Sequence, residues 1–145
     1  MPNANPRNDP YSRFNFLLEI DGVVRAGFSE VSGLSTETDV IDYREGNEPA
    51  TVRKLPGLTR YSNITLKRGV TNDKSLWQWR KAVIDGKVQR SSGSVILLDE
   101  SRQPVLVWNF REGWPCKWEG PSLNAKTSDV AIETIEIAHE GLELA

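Results

Sequence analysis

One cysteine, Cys116, and one histidine, His139, are all that the chain offers of the two residue types most used for metal and redox chemistry. A lone cysteine excludes an intrachain disulfide, a zinc knuckle and a CxxC redox motif, and fits a reducing compartment. A lone histidine makes no zinc site by itself. Charge of one sign is not in excess either, since 18 Lys plus Arg face 20 Asp plus Glu for a net charge of −2. That balance gives no general attraction to nucleic acid or to an acidic membrane surface. No stretch approaches the roughly 20 apolar residues that cross a bilayer, and Met1 to Pro10 has no apolar signal core. Assembly in the cytoplasm without membrane insertion is the expectation. What is present, in 145 residues with five Trp, four Phe and three Tyr, suffices for one hydrophobic core and argues against disorder.

The first ten residues hold three prolines and little to bury, so residues 1–10 read as an N-terminal arm and 11–145 as a single domain. Phe14, Phe16, Leu18 and Ile20 alternate with Asn15, Leu17 and Glu19, and Asp21-Gly22 separates them from a second run, Val23 to Phe28. That pattern predicts a hairpin with a type I′ turn. A break at Ser32 to Ser35 precedes a strand over Thr38 to Arg44. The polar, proline- and glycine-containing stretch from Glu45 to Leu58 reads as a long connection, of a length that is usually functional or disordered. Arg60 to Lys67 alternates again, and Thr71-Asn72-Asp73 offers N-cap oxygens to a helix over about 73–85, ended by Gly86. In that helix Leu76, Trp77, Trp79, Val83 and Ile84 form the apolar face. Ser94–Leu98 and Val105–Phe110 predict a second hairpin, and Gly113 to Pro121, with two Trp, two Gly and two Pro, an aromatic corner. In the last strand, Ser128 to Glu140, the apolar phase slips between Val130/Ile132 and Ile135/Ile137, which predicts either a bulge near Glu133-Thr134 or a strand whose first half faces one layer and whose second half faces another. The sum is a mainly β fold of about seven strands and one helix: an antiparallel sandwich or barrel with the helix over one open side.

Signals for catalysis are weak. His139 lies in Ala-His-Glu-Gly without an HExxH pattern. Ser29 in Gly-Phe-Ser-Glu-Val lacks the second glycine of a nucleophile elbow. Cys116 sits beside Lys117, which lowers a thiol pKa, but nothing brings a base to it. The carboxylate pairs Asp39/Asp42 and Glu133/Glu136 read as solvated strand faces, and no Walker-type loop is present. Asn63-Ile-Thr65 matches a glycosylation sequon in a chain with no signal peptide. Trp77 and Trp79 beside Arg80 and Lys81 read as core packing rather than a base-stacking platform. Trp108, Trp114 and Trp118 leave one competing function, a carbohydrate-binding module with an aromatic groove.

A set of short matches then falls in one order along residues 10–143. It runs through Phe14-Asn-Phe-Leu-Leu-Glu-Ile-Asp-Gly22, Gly27-Phe-Ser-Glu-Val-Ser-Gly-Leu34 and Tyr43-Arg-Glu-Gly46. It continues with Val52-Arg-Lys-Leu-Pro-Gly-Leu58, Ile64-Thr-Leu-Lys-Arg-Gly69, Leu76-Trp-Gln-Trp79 and Asp85-Gly-Lys-Val-Gln-Arg90. It ends with Trp114-Pro-Cys-Lys-Trp-Glu-Gly-Pro121 and Val130 to Leu142. The whole resembles the tail-tube protein family of contractile phages, especially the inner-tube subunits of extracellular contractile injection systems, with a more distant similarity to the tube protein of type VI secretion. The resemblance implies a β-barrel with one helix and no cofactor or metal. It implies homohexameric rings stacked into a hollow tube, a sheath outside, baseplate or spike hub and terminator or cap proteins at the ends, and effector cargo or DNA in the lumen. On that reading Glu45, Asn47, Glu48, Arg53, Lys54, Leu55 and Pro56 are the expected inter-subunit or ring-stacking contacts, Arg53 and Lys54 meeting carboxylates and Leu55-Pro56 packing on a neighbour.

Overall fold

The computed structural model describes residues 16–21, 24–47, 50–126 and 131–145. Among these, ten strands and one helix follow one another: β1 Phe16–Ile20, β2 Val24–Phe28, β3 Glu30–Ser32, β4 Thr36–Tyr43, β5 Arg53–Tyr61, β6 Ile64–Gly69, α1 Ser75–Ile84, β7 Ser91–Leu98, β8 Pro104–Glu119, β9 Ile132–Ala138 and β10 Gly141–Leu144. Eight strands form one antiparallel sheet, and β4 with β5 forms a separate two-stranded ribbon.

Alternation decides which face of each strand turns inward. Leu18 and Ile20 of β1, Ile64 and Leu66 of β6, Val95 and Leu97 of β7, and Ile135 and Ile137 of β9 are all buried. The sheet folds on itself along β8. Residues 104–113 of that strand pair with β7, and Trp108–Arg111 also pair with β10, whereas Trp114–Glu119 pair with β9. One layer is therefore β2-β1-β7-β8-β10 and the other β3-β6-β9-β8. On the opposite side β2 runs into β3 through Ser29, whose N–H donates to Lys67 O at 2.9 Å. The ladder is broken there, so the body is a sandwich with two drawn-together edges rather than the closed barrel that the resemblance implied. Full burial of each core Leu, Ile or Phe contributes roughly 1.5–3 kcal/mol before chain entropy is counted.

Phe110 lies at the centre of the core, and two glycines make its slot. A Cβ on Gly93 would stand 2.4 Å from Phe110 Cζ, and one on Gly113 would stand 2.5 Å from Phe110 Cε1. The helix closes the open side with Leu76 and Trp79, the Trp79 indole N–H reaching Gln89 O at 3.1 Å. It starts two residues later than the expected 73, because Asp73 Oδ1 accepts both the backbone N–H (3.0 Å) and the hydroxyl (2.6 Å) of Ser75 from outside the first turn. Those bonds, with Arg68 nearby, hold the Asp73 carboxyl below its usual range. At the other end Gly86 adopts φ +79°, and the Gly86→Val83 and Lys87→Ala82 backbone bonds complete a Schellman motif.

Five further expectations change. The connection from 45 to 58 is shorter, because Arg53 to Leu58 belongs to β5; neither face of this ribbon is buried, so no apolar alternation announces it. The Gly113–Pro121 corner is largely strand up to Glu119: Pro115 has no N–H to offer a ladder, and the extra residue Cys116 beside it shifts the register between Pro115↔Ile137 and Lys117↔Glu136. The bulge expected at Glu133-Thr134 is absent, since β9 pairs with β6 without interruption from Ile132 to Ile137; the irregularity lies opposite, at Cys116, and Ile132 faces out. Trp77 does not share the core with Trp79; it is 39% exposed and packs on Trp118, ring centroids 4.9 Å apart. The first hairpin forms with Ile20 opposite Val24, so three residues connect its strands, not two. Gly22, Val23, Phe14, Ser128 to Val130 and the arm 1–10 lie outside the described residues.

The Phe110 slot sets a stability test. Phe110→Ala should cost about 3–5 kcal/mol and Gly93→Ala about 1–3 kcal/mol in urea unfolding. A neutral Gly93→Ala would show that the slot is not tight.

Candidate functional site

The feature that the core does not explain is the β4–β5 ribbon. Its strands run about 25–30 Å at the usual rise per residue and pack against each other, with scarcely any contact to other elements. Its ladder pairs Val40 with Pro56, Ile41 with Leu55, Asp42 with Lys54 and Tyr43 with Arg53. A bulge opposite Asp39 absorbs Gly57-Leu58, which lets Pro56 sit in the ribbon. Side chains lace it locally: Thr38 to Thr59 at 3.1 Å, Arg60 Nη2 to Asp39 Oδ2 at 3.0 Å, and Tyr43 Oη to Glu45 Oε1 at 3.0 Å. Yet it leaves apolar surface in water: Val40 is 64% exposed, Ile41 51%, Leu55 44% and Leu58 71%. An isolated two-stranded hairpin is marginal in water, and contiguous exposed apolar surface marks an interaction site.

The expected contact residues divide accordingly. Arg53, Lys54, Leu55 and Pro56 lie on β5, Glu45 and Asn47 lie in the connection beyond β4, and Glu48 is outside the described residues. Arg53 and Lys54 were expected to meet carboxylates on a neighbour; within the chain Lys54 already has Asp42 directly across the ladder. Val40, Ile41 and Leu58 were not singled out from sequence, although Val40-Ile41 in a polar stretch is a usable signal. Arg68 was also missed. It occupies the inward slot after Ile64 and Leu66 and is buried, where alternation asks for an apolar residue.

The candidates for chemistry are not brought together. Cys116 Sγ lies 3.5 Å from both Glu136 O and Glu136 Oε2. Burial, and then the Glu136 carboxylate, push its pKa up, the reverse of an activated thiol. His139 is held elsewhere, with Nδ1 3.0 Å from Gly141 O and Nε2 2.9 Å from Ser62 O. Trp108 and Trp118 are partly buried against the core, and Trp118 is covered by Trp77, so neither stands free as an aromatic platform. Among the described residues no cluster of three or more His, Cys, Asp or Glu is placed to hold a metal ion. Nor is any helix there long and apolar enough to cross a membrane.

Solved structures share this architecture. The chain is similar to one in the sheath/tube terminator of the extracellular contractile injection system PVC in its extended state, at 26% identity and TM-score 0.81, over 98% of this chain and 99% of that one. It is similar to one in the sheath–tube complex of the same system at 24% identity and TM-score 0.82, covering 95% and 93%. A type six secretion system protein shares the fold at 12% identity and TM-score 0.66, covering 90% and 82%. No curated protein matches the chain significantly in sequence. A family model does, over residues 12–143, nearly the full length. A sandwich that carries an apolar ribbon beside its core and matches that model nearly end to end belongs to the family of the T4-like virus tail tube protein gp19, and its role is structural.

Proposed function

We propose that this chain is the repeating subunit of the inner tube of a contractile tail or injection system, and that it catalyses nothing. Six copies form a ring, and rings stack into a rigid hollow conduit. A sheath surrounds the tube, a baseplate or spike hub and a terminator or cap close its ends, and effector cargo or DNA travels in the lumen. The observation that carries this reading is the ribbon: apolar surface on both strands of a self-paired hairpin, outside the core, is what a heterologous contact needs. Such a contact, repeated head to tail, propagates without closing and yields a filament. The origin of the similar chains in a sheath–tube complex and a sheath/tube terminator supports the same partners here.

In this reading the ribbon meets an adjacent ring. Val40, Ile41, Leu55 and Leu58 lose their water there, and Glu45, Asn47, Glu48, Arg53 and Lys54 supply a polar rim. Sheath contraction then moves the stack as one body, rigid because many identical weak contacts must break together.

Two outcomes test this. Purified protein viewed by negative stain should show rings and tubes of constant width, and the Ile41→Asp/Leu58→Asp variant should keep its melting temperature as a protomer yet form no tubes. A strictly monomeric wild-type chain at high concentration would sink the proposal. Cys116 should alkylate more slowly than a free cysteine between pH 7 and 9. Its raised pKa keeps the thiol protonated in that window, so the rate–pH midpoint lies above that of a free thiol, and Glu136→Gln should move it down. Fast, low-pH alkylation would instead speak for a working thiolate.

A further inference from the structure

The ribbon has to be aimed at its root, because neither β4 nor β5 has appreciable contact with any other strand or with the helix. Two short connections join it to the body, residues 33–35 before β4 and 62–63 after β5. β3 pairs with β6 up to Ser32↔Thr65, and β4 pairs with β5 from Thr36↔Tyr61 onward, so the ribbon prolongs the β3–β6 pair beyond a kink. At the kink the two chains are pressed together. Gly33 stands at φ +87°, where an added Cβ would lie 1.9 Å from Asn63 O, and the Ser35 hydroxyl meets that of Ser62 at 2.7 Å. These contacts tie one chain of the kink to the other. Leu34 rests against the core on the incoming chain, and something has to hold the outgoing one.

His139 supplies that hold. It lies between the end of β9 and the start of β10, with Nε2 2.9 Å from Ser62 O and Nδ1 3.0 Å from Gly141 O. A carbonyl oxygen only accepts, so the bond to Ser62 needs the proton on Nε2, and a ring that carries both protons bonds Gly141 as well. The imidazole packs on two rings at once. Its centroid is 5.7 Å from that of Tyr61, the last residue of β5, and 6.0 Å from that of Phe110 in the middle of the core. A second link to the kink, from Asn63 Nδ2 to Glu136 Oε2 at 3.0 Å, joins two exposed side chains, whereas His139 grips the main chain.

Without this grip the root has room to move. Tyr61 lines an open cleft of about 560 Å³, with Gly93, Phe110, Gly141 and Leu142 on its other walls. The ribbon is also a lever: at about 25 Å long, a swing of about 10° at the root displaces its far end by about 4 Å, more than a close-packed contact tolerates. We infer that His139 is the positioning residue of the ribbon. Its Nε2–H bond to the Ser62 carbonyl fixes the angle at which the ribbon leaves the body, and so where Val40, Ile41, Leu55 and Leu58 are presented. The use of that angle in docking rests on the reading proposed above; the grip itself does not.

The angle is read as the distance between spin labels at Asp42→Cys on β4 and Gln78→Cys on α1. The full-length chain carries Cys116→Ser and, to keep it a protomer, Ile41→Asp/Leu58→Asp, and is diluted with unlabelled protein. Two amides separate the two bonds of His139, since the side-chain nitrogen of Asn reaches the place of Nδ1 and that of Gln the place of Nε2. The chain with His139 and the His139→Gln variant should each give one narrow distance. His139→Asn should raise the population outside that distance about 2–10-fold, the change that one net hydrogen bond makes. His139→Phe, which keeps a ring between Tyr61 and Phe110 but has no donor, should do the same, and it decides the matter if the Asn variant does not fold. Equal widths throughout, a narrow distance in His139→Phe, or a His139→Gln variant as broad as His139→Asn would each overturn the inference. Tube formation enters none of these readouts, so failure here is separable from failure of the assembly reading.

Discussion

Where β8 passes from one layer of the sandwich to the other, its backbone must keep pairing on its flanks while its partners change from β7 and β10 to β9. Everything inside the body depends on that passage. Phe110 precedes it and fills the core, Gly113 stands at the turn-over point to make room for the Phe110 ring, and the extra residue Cys116 resets the ladder just beyond. Glu112, at φ +55°, marks the same place in the backbone. Arg80 of α1 ties it down from outside by donating to Pro115 O at 3.2 Å, with Trp77 on Trp118 beside it. A strand that bends this sharply without a break needs small residues and a bulge, and the chain supplies both within a few positions.

The body and the ribbon follow opposite rules. In the body every inward slot except that of Arg68 is apolar and filled; in the ribbon the apolar residues have nothing beneath them. A monomeric protein gains nothing from such surface, and a solvent-exposed edge carrying it invites uncontrolled pairing. On the proposed reading, identical copies supply the cover. The negative results on chemistry agree with this division. The thiol is pushed toward its neutral form, the histidine is occupied by two carbonyls, and Trp108 and Trp118 are partly buried against the core.

How much of this was legible depended on whether a strand has one wet and one dry face. Leu18/Ile20, Ile64/Leu66, Val95/Leu97 and Ile135/Ile137 alternate because they do, and their strands were readable at once. β5 was read as a loop because Arg53 to Leu58 has no dry face and contains Pro56-Gly57, both ordinary breakers. β3 and β10 are three and four residues long, too short for a period to show. The phase slip in the last strand was real in the sequence but misplaced in cause, since a register shift lies on the partner strand, which no single-strand pattern reveals. The expected contacts Leu55 and Pro56 fall on the ribbon, while the exposure of Val40, Ile41 and Leu58 emerged only once the ribbon was seen to stand off the core. Arg68 falls just beyond the Arg60 to Lys67 run, and the partners around it are distant in sequence, so no local pattern marks it.

The ribbon also has a kinetic character of its own. β4 and β5 are joined by the short stretch 44–52, so their ladder closes a small loop, whereas the pairings that build the body join β1 to β7, β3 to β6 and β6 to β9 across long separations. Local hairpins form in microseconds, and sheets with distant partners wait on slow loop closure. The ribbon is therefore able to sample its final register on a nascent chain before the domain that carries it is complete, marginal on its own as it is. On the proposed reading, chains emerging close together on one message meet through the ribbon early, which makes the spacing of synthesis, and not only the strength of the mature contact, a determinant of orderly growth.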